Sequence, residues 1–163
     1  MDRNNFFSPL PIKAGQFYDY LNKLVTKDHT WHKHFGFDAI QVDSTWITKD
    51  YALNCVNKLQ PIKELGVLKV PANSFYNFHR DSLRLSTLNM LIKQKEGHCY
   101  FIESSDGYYS NLVELVYKPK TYYLFNNQAV HGVINKSEPR YMFSLYFVNE
   151  IKYQDLQAKL KHL

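Results

Sequence analysis

Hydrophobic and polar residues change their spacing near residue 66 of this chain. Before that point, apolar residues from Phe17 to Val25 recur at helical intervals, and a second helix is predicted over residues 48–60. After it, apolar and polar residues alternate in short runs that turn residues separate, which is typical of β-strands. Eight strands are predicted, over residues 66–70, 73–80, 84–92, 98–103, 111–117, 121–125, 130–135 and 140–148.

The last residues predict one more helix, which would begin after Asn149 as its cap, with Leu156, Leu160 and Leu163 on its buried side. Eight short strands in sequence fit a sandwich or barrel, and eight is the number of strands in a jelly roll. The predicted fold class is therefore mainly β with flanking helices. We expect a single domain, residues 1–163, made of a helical N-terminal support (1–65), a β core (66–148) and a C-terminal helix (149–163).

Composition narrows the possible environments and partners of the chain. Its 163 residues are 45% hydrophobic and 16% aromatic, which suits one globular domain rich in β-structure. The sequence contains no apolar run of membrane-spanning length and no signal-peptide layout, so we expect a cytoplasmic protein. Cys55 and Cys99 are expected to be free thiols, with a disulfide as the alternative. The net charge of +5 is spread along the chain, so neither nucleic acid nor membrane is an expected partner.

Two histidines and one aspartate are the residues with the most specific chemistry. His79 and Asp81 are two apart at the end of a predicted strand, where alternate residues point to the same side. His131 lies in another short apolar run. Two imidazoles and one carboxylate form the set that holds non-haem iron(II) on one face and leaves its other positions open. We therefore predict that His79, Asp81 and His131 bind iron and serve in catalysis.

Arg140 offers a planar fork for a carboxylate nine residues after His131. Along its strand, Arg140, Met142, Ser144 and Tyr146 share one face, and the opposite face is apolar. An arginine that points into a barrel needs a buried anionic partner. A dicarboxylate co-substrate of the metal, such as 2-oxoglutarate, would be that partner.

Each of these residues also has a simpler interpretation. His79 and Asp81 could form a surface hydrogen-bonded pair, and Arg140 could form a surface ion pair with Glu138. Three histidines between residues 29 and 34 could also suggest a metal site, but no carboxylate or cysteine stands at a fitting spacing, which favours a solvated loop. The joint placement of the triad and the arginine on predicted strands favours the metal site.

In these residues the chain resembles the iron(II)/2-oxoglutarate-dependent oxygenases, in particular the aspartyl/asparaginyl β-hydroxylase and prolyl-hydroxylase-like groups. That family folds as a double-stranded β-helix, a cupin-like jelly roll of eight strands with flanking helices. Its His-x-Asp ligands close the second strand, as His79 and Asp81 do here. Its distal histidine lies on the seventh strand and its arginine begins the eighth, which match His131 and Arg140. The resemblance covers residues 66–148.

The resemblance implies iron(II) as cofactor and 2-oxoglutarate as co-substrate, with Arg140 on the distal carboxylate. Asn89 on the third strand and Asn77 on the ligand strand are further candidates for co-substrate contact. Many family members have a serine two residues after the arginine. This chain has Met142 there and Ser144 two residues later, and we include Ser144 in the predicted co-substrate site.

The activity expected from the resemblance is hydroxylation by a 2-oxoglutarate-dependent dioxygenase. Its substrate would be an amino-acid side chain in a protein or peptide, or a small molecule. Two alternatives remain open at this point. One is a catalytically silent double-stranded β-helix that serves in binding or assembly, since a fold does not imply a function. The other is a cupin-type isomerase or dioxygenase, which commonly uses more histidines.

Overall fold

Eleven strands form two antiparallel sheets in a computed structural model that describes residues 3–93, 97–105, 107–108 and 110–163. The strands are β1 (Phe7–Lys13), β2 (His32–His34), β3 (Phe37–Val42), β4 (Ile62–Val70), β5 (Ser74–His79), β6 (Ser86–Lys93), β7 (Gly97–Ser105), β8 (Ser110–Leu115), β9 (Thr121–Asn126), β10 (His131–Asn135) and β11 (Arg140–Phe147). The helices are α1 (Gln16–Leu24), α2 (Trp46–Lys49), α3 (Tyr51–Leu59) and α4 (Tyr153–Leu160), after a short 3-10 turn at Arg3–Asn5.

The strand order is that of a jelly roll. The larger sheet has the order β1-β9-β6-β11-β4-β3-β2, and the smaller has the order β5-β10-β7-β8. Successive strands from β4 to β11 therefore alternate between the larger and the smaller sheet, except that β7 and β8 both lie in the smaller one, as in two interleaved Greek keys. Each of these eight strands overlaps one of the eight predicted strands, so the predicted double-stranded β-helix is confirmed.

The N-terminal part differs from the helical support expected over residues 1–65, because it also contributes β1, β2 and β3 to the larger sheet. β1 contains Pro9 and Pro11, which normally speak against a strand, but it lies at the sheet edge, where a missing N–H is tolerated. β2 has only three residues, all of them polar or charged. Neither strand has a hydrophobic alternation of its own. Pairing with a neighbouring strand determines its conformation instead.

The three predicted helices are present with changed boundaries. The helix expected over 48–60 is divided at Asp50, whose backbone is extended and whose carboxylate accepts a hydrogen bond from the Leu53 amide at 3.0 Å as the cap of α3. The last helix begins at Tyr153, not directly after Asn149, and Lys152 stands at its cap position without a side-chain cap. None of the helices in the described ranges is long and apolar enough to cross a membrane. Cys55 and Cys99 are free thiols, as expected.

Two hydrophobic clusters hold the layers together. The larger lies between the helices and the larger sheet, where Phe17 of α1 meets Phe143 of β11 with ring centroids 5.2 Å apart. The smaller lies between the two sheets and includes Phe101 of β7 and Phe125 of β9. A cavity of about 210 Å³ adjoins this second cluster inside the barrel. The barrel is thus filled at one place and open to a ligand beside it.

The alternation predicted for β11 is confirmed. Arg140, Met142, Ser144 and Tyr146 line the cavity. The intervening apolar residues, Tyr141 to Phe147, belong to or pack against the larger cluster on the helical side. One strand therefore separates the hydrophobic core from the cavity.

Candidate metal centre

Three potential ligand atoms converge at one end of the cavity. His79 is the last residue of β5, His131 is the first of β10, and the two residues are direct partners in the antiparallel pair. Asp81 follows two residues after His79. The three side chains present ligand atoms that lie within 4.8 Å of one another. The pairing of β5 with β10 thus unites histidines that are 52 positions apart in the sequence.

Both imidazoles are oriented by hydrogen bonds to the backbone. The Nδ1 atom of His79 lies 2.7 Å from the Asn77 carbonyl oxygen, and Nδ1 of His131 lies 2.9 Å from that of Ala129. Because a carbonyl oxygen only accepts, each Nδ1 carries a proton, so in the neutral ring Nε2 is the nitrogen with the free lone pair. These Nε2 atoms lie 3.2 Å (His79) and 3.7 Å (His131) from Oδ1 of Asp81. The tautomer and the direction of each ring therefore suit metal binding.

The Asp81 carboxylate uses its two oxygens for different purposes. Oδ2 accepts hydrogen bonds from Nδ2 of Asn127 at 2.7 Å and from Nε of Arg84 at 3.2 Å, with Nη2 of Arg84 at 3.1 Å. The backbone of Asp81 is also held, since its amide donates to the Asn127 carbonyl and its carbonyl accepts from Gln128. Oδ1 remains directed towards the two histidines. Oδ1 is thus the carboxylate oxygen that is available to bind a metal ion.

Burial keeps His131 in the form that binds metals. Removal of the ring from solvent lowers its pKa, although the hydrogen bond to Ala129 and the nearby Asp81 charge oppose that change. A neutral imidazole is the form that coordinates a metal ion. Two imidazoles with one carboxylate, arranged on one side of an open cavity, are the donor set that suits iron(II).

Arg140 lies deeper in the same cavity, at the start of β11, and is only 1% exposed. Its guanidinium carbon lies 5.1 Å from the ring centroid of Tyr117. Nε and Nη2 of Arg140 have no hydrogen-bond partner among the residues that the structure describes. Such burial does not match a surface ion pair, and an unpaired buried cation is costly unless an anion joins it. The arrangement fits a carboxylate ligand.

Two other predicted residues face this cavity and one does not. Asn89 of β6 and Ser144 of β11 are cross-strand partners, and both line the cavity. Oδ1 of Asn89 is buried and has no partner in the described part of the chain, whereas Oγ of Ser144 lies 3.2 Å from Nη1 of Arg84. Asn77 is exposed and is not among the described residues that line the cavity. Its carbonyl, and not its side chain, contacts the metal centre through His79.

A β-bulge explains the position of Asn77. His131 and Val133, two apart on β10, are paired with His79 and Tyr76, which are three apart on β5. One extra residue in β5 breaks the strict alternation that would place Asn77 and His79 on the same face. Tyr76 takes that place, with its ring centroid 4.6 Å from that of His79.

Sequence reasoning did not assign roles to Asn127, Arg84 or Tyr117. Asn127 is recognisable only as a turn residue, and Arg84 precedes β6, so strand parity says nothing of its direction. Tyr117 follows β8 and its hydroxyl is buried beside Arg140 without a hydrogen-bond partner in the described residues. Burial above all raises its pKa, so it stays protonated as a donor. No local signal marks these three residues.

No family profile matches the chain, and neither does any curated protein sequence. Solved structures do. An oxidoreductase of the 2OG-Fe(II) oxygenase family from Burkholderia pseudomallei is 11% identical, with a TM-score of 0.62 over 89% of this chain and 85% of its own. A prolyl hydroxylase from Trichoplax adhaerens, in complex with a hypoxia inducible factor peptide fragment, is 15% identical, with a TM-score of 0.62 over 94% and 86%.

The fold is that of the 2-oxoglutarate–iron(II) oxygenases. A third similar structure is the epimerase SnoN from nogalamycin biosynthesis, in complex with Fe³⁺, α-ketoglutarate and nogalamycin RO. It is 14% identical, with a TM-score of 0.59 over 86% of this chain and 78% of its own. At such identities the likeness establishes the fold, and the resemblance seen in the sequence is confirmed at that level.

Proposed function

We propose that this protein is an iron(II)/2-oxoglutarate-dependent oxygenase. One observation carries the proposal: a preoriented His–Asp–His triad lines the same cavity as a buried arginine, two of whose nitrogens have no hydrogen-bond partner among the described residues. A silent scaffold has no need of either, because clustered ligand atoms and a buried cation both cost stability unless a metal ion and an anion join them. The fold of the similar structures supports the same conclusion.

The roles of the residues follow from their contacts. His79, Asp81 and His131 hold iron(II) through Nε2, Oδ1 and Nε2. Arg140 would pair with the distal carboxylate of 2-oxoglutarate, and the buried hydroxyl of Tyr117 beside it would donate a further hydrogen bond. Asn89 and Ser144 are polar groups of the same wall. When both are bound, iron and 2-oxoglutarate would supply the chemistry with dioxygen as the oxidant: one oxygen atom would enter the co-substrate, which becomes succinate and carbon dioxide, and the other would convert a substrate C–H bond to C–OH.

The chain itself positions the reactants and controls the access of water. The hydrogen bonds to Asn77 and Ala129 keep both rings directed at the metal, and Arg84 and Asn127 hold Asp81 in place. The apolar cluster at the inner end of the cavity excludes water from the buried guanidinium. The substrate is an amino-acid side chain of a protein or peptide, or a small molecule. Similar structures carry one of each kind, a peptide fragment and nogalamycin RO.

Anaerobic titration of the purified protein with iron(II) and then 2-oxoglutarate tests this proposal. We expect one iron per chain and a visible charge-transfer band when the co-substrate chelates it. His131→Ala should lose the band and most of the iron affinity, since it removes one of three protein ligands. His32→Ala is the matched control, because His32 is exposed on β2 outside the cavity lining. Equal iron binding by wild type and His131→Ala would contradict the assignment.

A further inference from the structure

Positively charged residues outnumber negatively charged ones in the lining of the cavity. Arg80, Arg84 and Arg140 line it, and Asp81 is the one acidic residue among its described lining residues. Three arginines against one aspartate leave a formal surplus of two positive charges. Iron(II) and doubly charged 2-oxoglutarate cancel each other, so the surplus would persist after both are bound. A low-dielectric cavity with one sign of charge attracts ligands of the opposite sign.

Arg84 and Arg80 are the cations that remain for a substrate once Arg140 holds the co-substrate. Arg84 uses Nε and Nη2 for Asp81 and Nη1 for Ser144, which leaves one N–H on each terminal nitrogen. Its guanidinium lies over the ring of Tyr146, with the central carbon 4.8 Å from the centroid. Arg80 is exposed at the cavity and has no ion pair or hydrogen bond from its side chain among the described residues. Both are suited to a carboxylate.

The exposed part of the cavity also carries two large apolar side chains. Phe35, at the turn between β2 and β3, is 67% exposed, and Leu83, in the loop after Asp81, is 68% exposed. Both line the cavity. Large exposed apolar side chains around a pocket mark the part that an apolar ligand covers.

Contacts with β5 and β11 fix the hairpin that carries Phe35 beside the cavity. Phe37 and Tyr76 lie with ring centroids 4.5 Å apart, and Nε2 of His34 lies 2.9 Å from the Tyr146 hydroxyl oxygen. Phe35 and Gly36 have φ angles of 46° and 84°, which form a tight turn between two short strands. The turn that carries Phe35 therefore has a defined position beside the cavity.

We propose that the primary substrate is a small amphipathic carboxylate, whose acid group pairs with Arg80 and Arg84 and whose apolar body contacts Phe35 and Leu83. This inference rests on the proposed function, because it concerns the space left beside the metal and the co-substrate. A small molecule can meet both groups at once, because the two arginines, Phe35 and Leu83 line one cavity of about 210 Å³. Arg80 and Arg84 bind the acid group. Phe35 and Leu83 contact the apolar part of the substrate.

The experiment uses the protein loaded anaerobically with iron(II) and saturating 2-oxoglutarate, so that no turnover occurs. Calorimetry measures binding of 3-phenylpropionate, its neutral amide and phenethyl phosphate, while the charge-transfer band reports on the co-substrate. We expect the carboxylate to bind on the order of tenfold more tightly than the amide. Tighter binding of the phosphate than of the carboxylate would overturn the assignment of the acid group.

Arg80→Gln should remove most of the preference for the carboxylate and leave the amide affinity unchanged. Arg3→Gln is its matched control, because it removes the same charge from an exposed arginine outside the cavity lining. An equal effect of both variants would attribute the preference to net charge and overturn the inference. Loss of the charge-transfer band on addition of the carboxylate would also overturn it, since the probe would then occupy the co-substrate site.

Two failures are distinguishable in the wild-type protein. If iron and 2-oxoglutarate bind but acid and amide bind equally, the substrate inference is wrong and the proposed function stands. If neither iron nor 2-oxoglutarate binds, the proposed function is wrong, and the inference about the substrate falls with it.

Discussion

Asp81 receives more support than any other candidate ligand. Three N–H groups of Arg84 and Asn127 surround its Oδ2 atom, and two backbone bonds hold its main chain. A carboxylate fixed in this way loses little freedom when it binds a metal ion, because its orientation is already set. Partners that orient a ligand commonly contribute 10- to 100-fold to metal affinity. Arg84 thus acts on the metal through Asp81.

Replacement of Arg84 tests that role. We expect Arg84→Met to weaken iron(II) binding by about 10- to 100-fold, since the carboxylate becomes free to rotate. Arg84→Lys should recover part of the affinity, because a point charge reaches Oδ2 but cannot form the fork. Iron affinity is measured by competition with a chelator, and circular dichroism confirms that the fold is retained. Wild-type affinity in Arg84→Met would show that Asn127 alone positions Asp81.

Arg140 should determine co-substrate affinity with little effect on iron. Arg140→Met leaves the distal carboxylate of 2-oxoglutarate buried without its charged partner and with the Tyr117 hydroxyl alone, at a cost on the order of 2–5 kcal/mol, or roughly 30- to several-thousand-fold in affinity. Arg140→Lys should restore only part of that affinity. Separate titrations with iron(II) and with 2-oxoglutarate measure the two effects. Unchanged co-substrate binding in Arg140→Met would make this residue structural.

The sequence predicted these ligands better than it predicted the residues that support them. His79, Asp81, His131 and Arg140 belong to motifs that short spacing and strand position make recognisable. Arg84 and Asn127 bind the same oxygen although 43 positions separate them, so their role exists only in the folded chain. A residue that acts through a distant partner leaves no local pattern.

At the scale of elements, the close approach of β5 and β10 decides whether the two histidines meet. Gly132 follows His131, and a Cβ atom there would lie 3.1 Å from Cδ1 of Phe78 and 3.1 Å from the Tyr76 carbonyl oxygen. The ring could shift, but the carbonyl belongs to the backbone of β5. A side chain at this position would therefore push the two strands apart.

Gly132→Ala should accordingly lower stability and metal affinity together. We expect a loss of about 1–3 kcal/mol in the free energy of unfolding, because overpacking forces a backbone shift. Gly66→Ala is the control on β4, since its Cβ would meet nothing closer than 3.6 Å. Chemical denaturation and iron titration measure both variants. Wild-type iron affinity in a destabilised Gly132→Ala would show that the strand spacing does not control the site.

Elements with their own hydrophobic pattern were predictable, and elements that depend on a neighbour were not. β4 to β11 and the stripe of α1 follow their periodicity. β1 and β2 form because β9 and β3 offer free edges to pair with. The bulge in β5 arises from its register with β10, and periodicity alone placed Asn77 on the wrong face.

For the whole molecule, the metal centre joins segments that would otherwise separate on unfolding. His79 and Asp81 lie at the end of β5, and His131 begins β10. The complete site exists only when the smaller sheet and the loop after β5 are in place. A metal that binds the folded chain and not the unfolded one stabilises the fold by mass action.

Iron(II) should therefore raise the melting temperature of the protein. At a free concentration 100 times the dissociation constant the gain is about 2.7 kcal/mol, which for a chain of this size corresponds to roughly 5–10 °C. Differential scanning calorimetry under anaerobic conditions, with and without iron(II), measures the shift. His32→Ala should show the full shift and His131→Ala almost none, because only His131 belongs to the triad. The comparison uses the shift within each variant, since either substitution also changes the stability of the metal-free protein. An equal shift in both variants would place the bound iron somewhere other than the cavity between the sheets.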